Sequence, residues 1–350
     1  MMIDWPDTRF LDLTAADLPI VQAPMAGAGG VDLAVGAMLA GAVGSLPCAM
    51  LTPMQVILQA AEVRAETDEE PLNLNFFCHT LGDAPDESAW LAALKPYYAE
   101  EGVEPGAPAP LRRPFDATMC EAVEAARPEI VSFHFGLPDE ALLARVRRTG
   151  AVVIGNATTV AEAEWLAAGR CDAIIAQGAE AGGHSGWFLD GHKPVPLAEL
   201  LRAIQVEVPV IAAGGIVDGA GIVEALRLGA SAVQIGTAYL ATPEATVSRP
   251  HRALLGTEAA SDAAFTNLFS GREARGIRNR LMREIGPVSE AAPAFPYASN
   301  ALASLRKKAE AEGRGDYSPL WAGAGVARVR AMPATELTET LAGEALALLG

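Results

Sequence analysis

VPVIAAGG (208–215), DGAGIVEALRLG (218–229) and SAVQIGTAYL (231–240) follow one another along the chain, and their order decides the fold. Two short apolar runs each stop at glycine, with an amphipathic stretch between them. A strand apolar on both faces needs cover on both sides, and a parallel sheet packed between helices supplies it. Working outward, the same alternation recurs. PIVQAPM (19–25) leads into a helix over about Val31–Leu39. AVGSLPC (42–48) is followed by TPMQVILQAAEVRAE, with Thr52 as cap and Pro53 at the first helical position. LNLNFF (72–77), EIVSFHFG (129–136), AVVIGN (151–156) and DAIIAQG (172–178) bring the strands to eight. Gly169 closes the helix after AVVIGN as a C-cap. Eight strand–helix units predict an α/β fold, a (β/α)8 TIM barrel. Spacing alone leaves an open doubly wound sheet as the alternative.

Two stretches fall outside the period. Residues 80–128 form an excursion between the third and fourth strands, rich in Pro, Gly and charge, with one extra helix near Phe115–Ala126. Residues 258–350 follow the eighth unit as a C-terminal extension of helices and a lid-like segment on the barrel top. The expected division is thus a barrel over 1–257 and an extension over 258–350.

Hydrophobic residues make up 51% of the 350, enough for a large core. A net charge of −17 argues against a nucleic-acid partner, which needs clustered basic charge. Cys48, Cys78, Cys120 and Cys171 are scattered, without metal-site spacing, and read as free thiols in a reducing compartment. The segment MMIDWPDTRF does not resemble a secretory leader, and no apolar run reaches membrane-span length. The expectation is a cytoplasmic enzyme, monomer or homodimer, with no membrane partner and no metal.

Barrel enzymes bind ligands at the carboxyl ends of their strands. Gly214 and Gly215 end the seventh strand, and Gln234, Ile235, Gly236 and Thr237 end the eighth. Singly, each glycine pair suits a tight turn equally well. Together, after consecutive strands, they predict an anion site built of backbone N–H groups and the Thr237 hydroxyl. QGAEAGGHSG (177–186) brings His184 to the barrel top on a glycine-rich loop, where an imidazole can accept a proton near neutral pH. Glu180 reads as its charge partner or as a solvated acid. Asn75 and Gln177 offer amides that suit the edge of a heterocycle or a structural partner. Met25 packs a core or touches a ligand, and His134 is a second histidine at a strand end. His79, His192 and His251 lack comparable positions.

The set QAPMAGAGG, LNLNFFCH, VSFHFGLP, QGAEAGGHSG, VIAAGGI, QIGTAYL and FSGREARGIRN resembles the bacterial nitronate monooxygenases, formerly 2-nitropropane dioxygenases. The resemblance runs in order from about residue 19 to 330. It implies an FMN-dependent barrel that oxidises alkyl nitronates, such as propionate 3-nitronate, with O2 to a carbonyl compound and nitrite or nitrate. By resemblance, Asn75, Gln177 and Gly182 contact the flavin ring or ribityl chain, and Gly215 with Gln234–Thr237 hold its phosphate end. His184 matches the active-site histidine. Two departures stand out. Ser185 replaces an arginine common after that histidine, so recognition of substrate charge in the pocket with His134 differs. WAGAG (321–325) replaces WAGQG, removing an amide expected near the flavin.

NAD(P)H-dependent enoyl-ACP and quinone reductases share the AAGGI and QIGT segments and form the rival reading. An IMP-dehydrogenase-like barrel needs a cysteine after the sixth strand, where Gly178, Ala179 and Ala181 stand. A Schiff-base aldolase needs a lysine on a strand, and none of the lysines lies on one. A non-catalytic barrel binding a phosphorylated ligand is the remaining alternative.

Overall fold

The structure, a computed structural model, describes residues 5–68, 70–106 and 111–350. Its strands are β1 (Ile20–Gln22), β2 (Gly44–Pro47), β3 (Leu72–Phe77), β4 (Ile130–His134), β5 (Val152–Ala157), β6 (Ala173–Gln177), the two-residue β7 (Gly183–His184), β8 (Val210–Ala213), β9 (Ala232–Ile235), β10 (Ala263–Thr266) and β11 (Ala274–Ile277). The eight apolar runs become one parallel sheet in the order β1-β9-β8-β6-β5-β4-β3-β2. A parallel bridge between Val21 and Val43 closes it, with Val43 N–H donating to Ile20 O and Gln22 N–H to Val43 O, both at 2.9 Å. The barrel is the predicted one, and the open sheet is excluded.

Inward side chains such as Val21, Ile130, Ile154, Ile175 and Ile211 fill the barrel with Phe10. Phe10 comes from the short helix Arg9–Thr14, which closes the end where the strands begin. That helix is pinned where Asp7 accepts from Ser231 Oγ at 2.5 Å and from Arg9 Nη2 at 2.7 Å. With this end plugged, only the carboxyl end can admit a ligand.

The excursion differs from expectation. The helix at Ala117–Ala126 is not extra: capped by Asp116, it packs between helices Pro53–Glu66 and Glu140–Arg148 as a wall helix. The added helix is Ser88–Glu101, whose Trp90, Leu94, Tyr97 and Tyr98 face Leu302, Leu305 and Ala309 of helix Ser299–Ala311. Their i, i+4, i+7, i+8 spacing is helical. Pro96 and the charged, Pro-rich tail conceal it in the sequence.

The segment after 258 divides in two. β10, β11 and β7 form a small antiparallel sheet, which ties the extension to the loop carrying His184. The last helix, Ala334–Leu349, instead lies against helices Val31–Met38 and Gly219–Arg227 and completes the barrel wall. Tyr239 and Thr338 share a buried 2.6 Å hydroxyl bond there, and Glu344 accepts from Gly219 N–H at 3.0 Å.

Candidate active site

A cavity opens at the carboxyl ends of the strands, lined by Met25, Asn75, His134, Gln177, Gly182, His184, Gly214, Gly215, Gln234, Gly236 and Thr237. The structure brings all of these expected residues together. It leaves two others behind the wall. Ile235 points into the hydrophobic core, so only its backbone is near the cavity. Ser185 is buried away from it, its N–H held by Glu273 O at 2.9 Å.

One end is the glycine cradle. Gly214 and Gly215 have φ of 135° and 72°, open to glycine and strained for other residues. A Cβ on Gly215 would stand 3.1 Å from Glu180 Cβ. Among the described residues, the N–H groups of Gly215, Gly236 and Thr237 donate to no protein acceptor. The Thr237 hydroxyl accepts from Gly323 N–H at 2.9 Å, leaving its own proton to give. The segment Trp321–Gly325 crosses over the loop here, and a Cβ on Gly182 would meet Ala322 and Gly323 backbone at 2.5 Å. Ala324, where an amide was expected to matter, is exposed and outside the cavity lining. Gln234 Oε1 is buried without a partner, and the Asn75 amide donates to Ser132 Oγ at 2.9 Å while its oxygen stays unspent.

At the other end stands His184 on β7. Ser270 Oγ donates to Arg272 O at 3.1 Å, so it can only accept from His184 Nε2–H, at 2.9 Å. That fixes the tautomer and leaves Nδ1 with a lone pair on the cavity. Burial holds His184 well below the ordinary histidine range, helped by Arg112, His134 and Arg272 nearby. The imidazole is therefore a neutral acceptor at physiological pH. Phe77, Phe135, Phe295 and Trp321 surround its ring at 6.1, 5.9, 5.4 and 5.6 Å between centroids and make the surroundings apolar.

Gln177 serves this loop. Its amide donates to His184 O at 2.9 Å and accepts from Asn156 Nδ2 at 3.0 Å and Gly186 N–H at 2.8 Å. His134 donates Nε2–H to the same His184 carbonyl at 3.2 Å, and burial holds its pKa at about 4. Glu180 is not a partner of His184: half-buried, it accepts from Leu197 N–H at 2.9 Å at the start of helix Leu197–Ala203.

Sequence reading missed the cations. Arg112 lines the cavity, and its Nη1 has no acceptor among the described residues. Arg272 lies behind His184, its guanidinium 4.2 Å from the Phe135 ring centroid and 3.9 Å from that of Trp187. No carboxylate lines the cavity among the described residues. The site thus favours anions. Both arginines sit in basic stretches, LRRPF and SGREARG, which was the available signal.

Fold and site together give a barrel whose cavity has unspent backbone N–H groups at one end and a buried imidazole at the other. A family model described as nitronate monooxygenase matches residues 7–344, and the chain belongs to that oxidoreductase family. It is 39% identical over 348 residues to the nitronate monooxygenase of Pseudomonas aeruginosa, covering 96% of this chain and 98% of that one. A nitroalkane oxidase structure from Streptomyces ansochromogenes superposes with a TM-score of 0.89 at 36% identity, covering 97% and 98%. FabK from Thermotoga maritima shares the fold, with a TM-score of 0.74 at 24% identity over 97% and 96%. No helix among the described residues is long and apolar enough to cross a membrane.

Proposed function

We propose that this chain binds FMN in the cavity and uses O2 to oxidise alkyl nitronates, such as propionate 3-nitronate, to a carbonyl compound and nitrite or nitrate. The observation that carries the reading is His184: neutral, with a bare Nδ1, beside two guanidinium groups and no carboxylate. The residues fit the cofactor. The N–H groups of Gly215, Gly236 and Thr237 suit its phosphate, the orphaned Gln234 oxygen a ribityl hydroxyl, and the Asn75 oxygen a ring N–H. When bound, FMN supplies electron acceptance from the substrate and reoxidation by O2.

The chain's own contribution is binding and proton handling. A neutral nitroalkane gives its α-proton to His184 Nδ1. A nitronate brings no proton, but its charge beside the ring draws one onto Nδ1, which then donates to a nitronate oxygen. Gln177 and His134 hold the loop so that this nitrogen stays aimed at the substrate, and the aromatic box excludes water from the reacting carbon. Four free cysteines accord with a cytoplasmic setting.

The test is the absorption spectrum of the purified protein, then O2 uptake with propionate 3-nitronate against NADH consumption. A flavin spectrum with nitronate-dependent uptake is expected. A colourless protein would refute FMN, and fast NADH oxidation without nitronate would point to a reductase.

A further inference from the structure

Beyond His184 the cavity passes Met50, Arg112 and Arg306 into an annex whose far wall is the start of helix Ser299–Ala311 with Lys307. Three cations and one carboxylate, Glu310, face it. Glu310 is already engaged, accepting from Arg306 Nε at 2.8 Å and from Ser318 Oγ at 2.8 Å. Arg306 is therefore largely neutralised. Arg112 is not: it has no ion pair among the described residues, and its Nη1 has no acceptor. Holding a half-buried guanidinium without a counter-ion is costly, and among the described residues only the Phe295 ring, 5.9 Å away, offsets it. The backbone beneath it is fixed, because His79 donates Nε2–H to Arg112 O at 3.2 Å. Phe295 relates it to the reactive end, with its ring 5.4 Å from that of His184 and 5.9 Å from the Arg112 guanidinium. All this lies in a chain of net charge −17, so the positive mouth is local.

We propose that Arg112 is a specificity-determining residue that binds a carboxylate on the end of the substrate remote from the nitronate, with Lys307 at the outer lip of the same annex. This rests on the nitronate reading. A guanidinium fork matches a carboxylate in two parallel hydrogen bonds, whereas an alkyl tail would leave the charge buried and unanswered. The enzyme then selects short nitro-acids over plain nitroalkanes of equal length.

The experiment measures O2 uptake by the flavin-loaded enzyme with propionate 3-nitronate and with butyl-1-nitronate, for the native protein, Arg112→Met and Arg112→Lys. The ratio of the two kcat/KM values should favour the carboxylate substrate. It should fall about tenfold or more in Arg112→Met, through KM, with partial recovery in Arg112→Lys. Equal loss on both substrates would overturn the proposal, as would an unchanged ratio. If the native enzyme consumes neither nitronate, the functional reading fails while succinate still tests the residue. Thermal stabilisation by succinate that disappears in Arg112→Met supports the carboxylate site, and stabilisation equal in both proteins overturns it.

Discussion

Ser270→Ala isolates the bond on which the proposed chemistry turns. Ser270 is 1% exposed, gives its proton to Arg272 O, and accepts His184 Nε2–H at 2.9 Å. A hydrogen bond between neutral groups contributes about 0.5–1.5 kcal/mol net, and a buried N–H left without an acceptor costs about 1–3 kcal/mol. Taking about 1–1.4 kcal/mol as the bias toward the tautomer with bare Nδ1, its removal shifts the tautomer ratio about five- to tenfold. The alternative form carries its proton on Nδ1 and cannot accept one from substrate. Removing the bias leaves the two tautomers about equally populated, so with flavin content retained kcat/KM on a neutral nitroalkane should fall about twofold. The loss on a preformed nitronate should be smaller, because that substrate needs Nδ1 protonated. Nitrogen NMR of labelled histidine reads the tautomer without reference to turnover. A variant that keeps Nε2–H and the native nitroalkane rate would refute the reasoning.

Other perturbations test other layers of the structure. Phe10→Ala empties the plug of the barrel and should cost about 3–5 kcal/mol in urea unfolding, and a cost below about 1 kcal/mol would mean that the helix is an ornament. Gly215→Val puts a β-branched residue at φ 72° against Glu180, and should give a folded barrel purified without bound flavin. A yellow, stoichiometric variant would remove the cradle from cofactor binding. Burial holds His79, His134 and His251 at about 4, below the unfolded value of ~6.5. Between those values the unfolded chain binds more protons, so stability should fall as pH drops from about 6.5 to 4, by up to about 1.4 kcal/mol per pH unit for each histidine. Denaturation midpoints that stay level down to pH 5 would contradict this.

The barrel was legible because its strands are continuous apolar runs ending in glycine, a signal that needs no tertiary context. The wall helix Ala334–Leu349 was not, since nothing local says that a helix so far along the chain fills the place after β9. The site divides in the same way. Glycines such as Gly215 announce themselves by what they permit. Gln177 could be located but not assigned, because its amide is committed to Asn156, Gly186 and His184, contacts made only in the folded loop. Arg112 and Arg272 lie on irregular segments without periodicity, and an arginine there looks solvated until burial is known.

Those two arginines also explain how a histidine so far from its ordinary range can still serve an anionic substrate. A positive field made by histidines would vanish as they deprotonate, and a base kept charged could not accept a proton. Here the roles are separated. Burial keeps His184 neutral, while Arg272, even lowered to about 10, stays protonated across the neutral range. The field and the base are then both present over the same pH interval, and Nδ1 takes its proton either from a neutral substrate or in response to the charge of an anionic one. The glycine cradle provides no such distinction, since any phosphate-bearing ligand could use it. The discriminating chemistry lies in the pairing of a neutral acceptor with fixed cations, and exchanging either for the other type of group should abolish it.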